Sequence, residues 1–588
     1  MIRPALLASL LVLTAACGGK DEPATSETTP ATDSSSTSEA PASRPVAAQP
    51  APGDLLLPLP EATSAAISAD DLAIRIETLS SDTFEGRGPG SDAGEASADW
   101  IAAEMERVGL EPGGPDGSWF QTVEMVEQTL IEDDSFIRVT TPEGERDMEL
   151  KVDAVIWTKQ QDVEVTELDG SPLVFIGYGA VAPEYEWNDY EGLDVAGKTV
   201  VMLVNDPGFA TGDEDLFNGK AMTYYGRWTY KYEEAARQGA AGAIIIHETE
   251  PASYGWDVVA GSWSGAQADL VRRDGGQSRV RVEGWITDEV ARELFAASGQ
   301  DFEALKDAAK SRDFTPVALD GLSLDARVSQ TVTTGESRNV VGVLPGTGAP
   351  DEYMLYVAHW DHLGRKDNFL EDKIYNGAVD NATGTAALLE IAEAMAAAPR
   401  QRSVMFLAVT LEESGLLGSA YFAENPTVDL AQIVAGVNMD GMLPTGPSRD
   451  MVVVGFGASE LEDRLADLLQ AQDRVIRPDP KPEAGYFYRS DHISLAKLGV
   501  PMLYADGGTD LRDGGMAAGE AAARTYTALE YHKPSDEYAA DWNLDGMEED
   551  VRALFELGAG LANSKDWPNW YEGNEFRAIR DAQRSGRD

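Results

Sequence analysis

His359 ends the apolar run YMLYVA and is followed by Trp360, Asp361 and His362. Glu412 and Glu413 follow SVMFLAVT, and Asp440 follows IVAGVNM. Three apolar runs therefore each end on a metal-type ligand. Asp380 lies in GAVDNATG, directly ahead of a helical stretch, and His532 lies in LEYHKPSDE, a loop closed by Pro534. The chain has only five histidines, and three fall within or at the ends of this set. Imidazole and carboxylate donors without a thiolate suit catalytic zinc, or manganese or cobalt, rather than a structural zinc site. Two histidines, one bridging carboxylate and two terminal carboxylates would give each of two metals three protein ligands and leave a position for water. Asp361, two residues past His359, offers a carboxylate for the second N–H of that histidine, which would fix its tautomer. Glu412 is adjacent to Glu413, so one can bind metal while the other faces the water, the division of labour that metal-assisted hydrolysis needs. Taken singly, each residue has a plainer reading, as a hydrogen-bonded core histidine or a surface acid pair.

These residues need a scaffold that brings strand ends together. From Ser337 onward, near-continuous apolar runs alternate with helical patterns, which predicts an α/β fold with a central, mostly parallel mixed sheet and helices on both faces. In such a sheet ligands bind outside the C-terminal strand ends. Thr383 is the expected N-cap of a helix reaching Ala397, whose positive end would help hold Asp380. Upstream, DDLAIRIETLSS has helical spacing, and EASADWIAAEMERVGL puts Trp100, Ile101, Met105 and Val108 on one stripe. Between about Glu127 and Thr333 the texture changes to short β runs with one clear helix, TYKYEEAARQGA. The expected division is a leader over 1–17, a disordered linker over 18–68, a split α/β domain over 69–130 and 334–565, a β-rich insert over 131–333, and a tail over 566–588.

With 588 residues the chain is too long for one ordinary core. Its formal net charge of −55 would repel phosphate backbones, which excludes nucleic acid as a partner. The start, MIRPALLASLLVLTAAC, has the form of a secretory signal and is too short to span a bilayer. Cys17, the only cysteine, resembles the modified residue of a bacterial lipobox, although Leu13 stands four places before it where three is usual. The implied location is the cell envelope, lipid-anchored. Gly18 and Gly19 carry no acidic sorting signal, which favours the outer membrane or periplasmic face. The Ser/Thr/Pro/Ala-rich segment that follows would act as a tether reaching roughly 35 Å.

The blocks AHWDHLG, NGAVDNATG, TLEESGLLGS, NMDG and YHKPSDE resemble, in order, the signatures of the M28 co-catalytic zinc peptidases, a family of aminopeptidases and glutamate-carboxypeptidase-like enzymes. The resemblance covers about 70–565, and YGAVAPEYEWNDYEGLDVAGKTVVMLVNDP resembles the protease-associated (PA) insert of some members. It implies two Zn2+, with Asp380 bridging, His359 and Asp440 completing one site, and Glu413 and His532 the other. Glu412 would be the general base for a hydroxide shared by the metals, with Asp361 supporting His359. Tyr531 stands where carboxypeptidase-like members place an oxyanion-stabilising tyrosine. Asp491 and His492, in GYFYRSDHISLAKLGVP, either support the site or serve as structural hydrogen-bonding residues. Gly441 and Thr383 depart from the common residues without touching a ligand. The implied activity is peptide hydrolysis, of aminopeptidase type, with carboxypeptidase or dipeptidase action as the alternative. A Gly-x-Ser-x-Gly match at Gly261–Gly265, after WDVVA and before the helix-like AQADLVRR, would instead make Ser264 an esterase nucleophile. Glutaminyl cyclisation at one metal and a non-catalytic, receptor-like protein are the remaining readings. No pattern in the sequence specifies an oligomeric state.

Overall fold

A computed structural model describes residues 55–263, 265–366 and 372–585. The leader with Cys17, the first part of the linker, and Ser264 lie outside the described residues.

The sheet that carries the strand ends is mixed. Its order runs Ala266–Leu270, Phe120–Leu130, Val317–Leu344, Arg402–Val409, Ala349–His359, Ile433–Asn438, Met502–Asp506, Asp450–Val454, Val475–Pro478. The four strands at its centre, from Arg402–Val409 to Met502–Asp506, run parallel, and the His359 strand lies between two of them. Burial on both faces explains their unbroken apolar sequences. Alternate residues of the His359 strand feed opposite cores. Tyr356 and Ala358 face a core with Leu72, Ile76, Trp100, Leu388 and Leu554, while Leu355 and Val357 face one with Phe422, Leu495 and Trp570. Each large apolar side chain buried this way contributes roughly 1.5–3 kcal/mol of transfer free energy. The helices Ala69–Leu79, Asp92–Arg107, Gly384–Ala397 and Asp545–Ala562 cover the first face. Trp100, Ile101 and Met105 of the predicted stripe are fully buried there.

Residues 55–68 are packed rather than extended. Leu55, Leu57 and Leu59 lie against the first core, Ile67 is buried, and Trp100 Nε1 donates to the Pro58 carbonyl. The stretch over 566–585 is packed too: Trp570 and Phe576 are buried, and the helix Arg577–Arg584 follows.

Most of the strands between Phe136 and Thr287 form a second sheet. Thr199–Leu203, Gly242–His247 and Val282–Thr287 run parallel at its heart. The 28-residue strand Val317–Leu344 joins the two sheets without a linker. Its first part pairs with Val165–Phe175, and from Gln330 onward it pairs with Phe120–Leu130. The helix Trp228–Arg237, predicted from TYKYEEAARQGA, lies beside Gly242–His247 and buries Tyr232 and Ala235 with Val200 and Ile245.

The esterase motif has the wrong context. A nucleophile elbow needs a strand, a tight turn and then a helix. Here the order is reversed: Trp256–Ser262 is helix, and Ala266–Leu270, read as helix-like from AQADLVRR, is a strand antiparallel to Phe120–Leu130.

Candidate metal centre

Three adjacent strands deliver the polar residues expected of them. His359 is the last residue of its strand; Glu412 and Glu413 lie just past Val409, and Asp440 just past Asn438. Leu411 has a φ of 57°, a left-handed turn that directs the two glutamates differently at a conformational cost of order 1 kcal/mol. Asp380 precedes the helix Gly384–Ala397, and His532 lies past the helix Gly515–Leu529, also with a left-handed φ of 57°.

Five side chains converge on Asp380. His359 Nε2 is 3.4 Å from Asp380 Oδ1 and 3.2 Å from Asp440 Oδ1. His532 Nε2 is 3.2 Å from Asp380 Oδ2 and 3.1 Å from Glu413 Oε2. Each oxygen of Asp380 thus faces a different histidine, and each histidine faces one further carboxylate. His362 Nδ1 lies 2.6 Å from Glu413 Oε1 and 4.0 Å from Asp380 Oδ2. It joins the second group of donors, a position the sequence reading noted only as a strand-end histidine. The donor chemistry fits divalent cations. Three carboxylates with exposures of 8%, 7% and 16% crowd three imidazoles, an arrangement whose mutual repulsion a cation relieves. The same field acts on the imidazoles. Despite burial, Asp440 and Glu412 hold His359 well above the ordinary histidine range. Against the same burial, hydrogen bonds to Asp380 and Glu413 push His532 up to about 10. Burial, opposed by His359 and reinforced by Asp440 and Glu413, raises the Glu412 carboxyl well above its usual value.

Two expectations are corrected. The carboxylate of Asp361 does not hold His359: its Oδ1 is 3.9 Å from Nδ1, whereas the Asp361 carbonyl oxygen accepts at 3.1 Å. The turn after the strand folds that carbonyl back under the ring, and the freed carboxylate accepts the Glu412 N–H at 3.1 Å. Thr383 does not cap the helix with its side chain. It already has helical dihedrals, and its hydroxyl donates to the Val379 carbonyl at 2.7 Å. Asn381 does the capping: its Oδ1 accepts the Gly384 N–H at 2.9 Å and the Gly441 N–H at 3.2 Å.

Further residues hold the donors in place. Asp536, buried, accepts the N–H groups of Val379 at 2.9 Å and Asp380 at 3.1 Å. Ser490 donates to Asp440 Oδ2 at 2.6 Å and accepts from Asn438 Nδ2 at 2.7 Å. Arg87, buried, donates to the carbonyls of Trp360, Asn376 and Gly377. Gly377 has a φ of 57°, and a Cβ there would meet the Asp380 carbonyl at 2.2 Å. The PSDE that follows His532 was the one sequence signal for Asp536; Arg87 and Ser490 act across long sequence separations that no local pattern reports.

Tyr531 is 45% exposed, and its ring stacks on His532 at 3.9 Å. Asp491 is fully buried, and burial pushes its carboxyl up to about 7 against the pull of His359 and Ser419. His492 is also buried; its ring packs on Phe487 at 4.6 Å and Tyr504 at 5.1 Å, and a backbone hydrogen bond at Phe487 partly offsets the effect of burial on it. Glu412, Glu413, Tyr531 and His532 all line a cleft of about 1370 Å³, which Arg227, Trp228, Trp263 and Arg279 also line.

A mixed sheet with imidazole and carboxylate donors at its C-terminal strand ends provides two donor groups that could each hold a metal ion, His359–Asp380–Asp440 and His362–Asp380–Glu413. Residues 339–554, which hold all five donors, match Peptidase family M28. The mouse protein "Aminopeptidase NAALADL1" is 32% identical over 127 residues, covering 20% of this chain and 16% of that protein. "Aminopeptidase YwaD" of Bacillus subtilis is 30% identical over 105 residues, covering 18% of this chain and 20% of that protein. A "Glutamate carboxypeptidase 2 homolog" of Caenorhabditis briggsae is 33% identical over 133 residues, covering 21% of this chain and 16% of its own length. The chain thus spans no more than a fifth of these relatives. The solved aminopeptidase from Aneurinibacillus sp. strain AM-1 aligns at 17% identity and a TM-score of 0.46 over 85% of this chain and 95% of its own.

Proposed function

We propose that this chain is a zinc-dependent exopeptidase of aminopeptidase type, with two zinc ions held in the Asp380-centred cage. The observation that carries the reading is the disposition of Asp380, whose two oxygens face separate histidine–carboxylate pairs while Glu412 stands beside them on the same cleft. His359, Asp380 and Asp440 would hold one ion, and His532, Asp380 and Glu413 the other. When bound, the metals supply Lewis-acid polarisation of the scissile carbonyl and acidify water. Glu412 takes the proton of the attacking water and returns it to the leaving amine. Asp361 positions Glu412 through its backbone N–H. Tyr531, which lines the same cleft, would supply a hydroxyl to the developing oxyanion. The PA-type insert over 131–333 and lipid attachment at Cys17 in the cell envelope complete the proposal.

The test is a panel of free-amine and N-acetylated peptides, with and without chelator. Free-amine peptides are cut, chelation stops the reaction, and zinc restores it. Equal cleavage of the blocked peptides would transfer the chain to the carboxypeptidase type. Cleavage that survives chelation and yields to a serine-directed phosphonate would remove the metal reading.

A further inference from the structure

The cleft concentrates cations in a chain whose net charge is −55. Most of them are neutralised locally. Lys159 and Arg272 both reach Asp269, at 3.3 and 3.2 Å. Arg237 pairs with Glu234 at 2.8 Å, and Lys497 with Glu233 at 2.9 Å. Among the described residues Arg279 has no ion pair within 4.0 Å, yet Glu283, Asp269, Glu233 and Glu424 act to raise its pKa against burial.

Arg227 and Arg489 differ. Among the described residues, neither has a carboxylate within 4.0 Å; the Nε of each is buried without an acceptor, as is that of Arg272 and of Arg279. The groups that act on the Arg227 guanidinium are Arg489 and three neutral tyrosines, Tyr254, Tyr488 and Tyr224, with no carboxylate among them. Burial first, and the Arg489 charge next, push the Arg227 guanidinium down to about 10. Arg489 lies 5.4 Å from the Tyr486 ring. The two come from different parts of the molecule. Arg227 caps the helix Trp228–Arg237, beside the second sheet, whereas Arg489 directly precedes Ser490, whose hydroxyl holds Asp440. Two like charges facing one cleft, each with unused donors, make a site that is short of an anion. Guanidinium forks are built for carboxylate.

We infer that Arg227 and Arg489 form a subsite of the cleft that binds a carboxylate of the peptide substrate, either its C-terminus or an acidic side chain. This rests on the exopeptidase reading and adds a substrate class to it: short or acidic peptides. An arginine pair supplied jointly by the insert and by the turn next to the Asp440 ligand would also tie the insert to substrate selection.

The experiment compares kcat/KM on matched peptides with the zinc-loaded full chain. One pair differs only in a C-terminal acid or amide, the other only in an internal Asp or Asn. At least one charged member is expected to exceed its neutral partner by about ten- to a hundred-fold, the scale of charge-assisted hydrogen bonds, chiefly through KM. The pair that responds identifies the source of the carboxylate. In R227Q and in R489Q, which alter separate elements, the ratio is expected to fall to within about two-fold of one. If zinc-dependent hydrolysis is plain but neither pair shows a preference, the subsite is refuted and the peptidase reading stands. A preference that persists in both variants refutes it equally. If no peptide of any kind is hydrolysed, the peptidase reading falls and takes the subsite with it. Equal wild-type rates on both pairs refute the subsite without either variant.

Discussion

Asp536 is predicted to matter more for metal than for folding. In Asp536→Ala the N–H groups of Val379 and Asp380, accepted now at 2.9 and 3.1 Å, lose their partner inside the protein. Stranding two buried donors costs about 1–3 kcal/mol each. Against this stands the carboxylate's own discomfort, since burial pushes Asp536 up to about 6 from 3.8. At neutral pH that rise corresponds to about 3 kcal/mol of destabilisation, which the substitution removes. The two nearly offset each other, so metal-free Asp536→Ala should unfold within about 3 kcal/mol of the parent. Asp380, however, loses the brace on its backbone. Comparable supporting groups are worth about 10–100-fold in metal affinity. Competition with a chelator of known zinc affinity measures this, alongside chemical unfolding of the metal-free protein. Asp536→Asn, which keeps one acceptor oxygen, should fall between. Unchanged zinc affinity in Asp536→Ala would refute the bracing role, and collapse of the metal-free protein would show that its part is structural.

Three further outcomes are expected. Glu412→Gln should retain its zinc content while turnover falls about 10²–10⁴-fold; loss of metal from this variant would mean that the roles of Glu412 and Glu413 are exchanged. His492 is buried, with its pKa lowered to about 3 by burial, so the fold keeps it neutral. The unfolded chain takes up that proton below about 6.5, so stability is lost as pH falls, by about 2 kcal/mol between pH 6.5 and 5. His492→Phe should flatten that part of the unfolding profile, and an unchanged slope would assign the acid sensitivity elsewhere. Cys17→Ser should move the protein from the membrane to the soluble fraction in a host that processes lipoproteins; continued membrane association would argue against acylation at Cys17.

Much of the centre could be read directly because strand ends leave a local mark. His359, Glu413 and Asp440 interrupt long apolar runs, and a buried parallel sheet needs such runs. Asp380 was visible at a helix start, and His532 through the block YHKPSDE. What escaped was geometry set by turns and by distant contacts. The spacing His359-x-Asp361 suggested a carboxylate partner, but the turn supplies the carbonyl and sends the carboxylate to Glu412. Local capping preferences favoured Thr383, while Asn381 caps the helix because it also binds the Asp440 loop through Gly441 N–H. Arg87 reaches Trp360 across 273 positions, a separation over which no periodicity speaks. The packed stretch over 55–68 was hidden by its composition, since its few leucines and Ile67 bury against a core formed by later helices.

The most direct test of the central claim is a zinc titration of the metal-free protein, following bound metal and hydrolysis of a free-amine peptide together. Two zinc ions per chain are predicted, with full activity reached only as the second binds. Saturation at one ion, or activity that does not depend on zinc, would contradict the two-metal cage around Asp380.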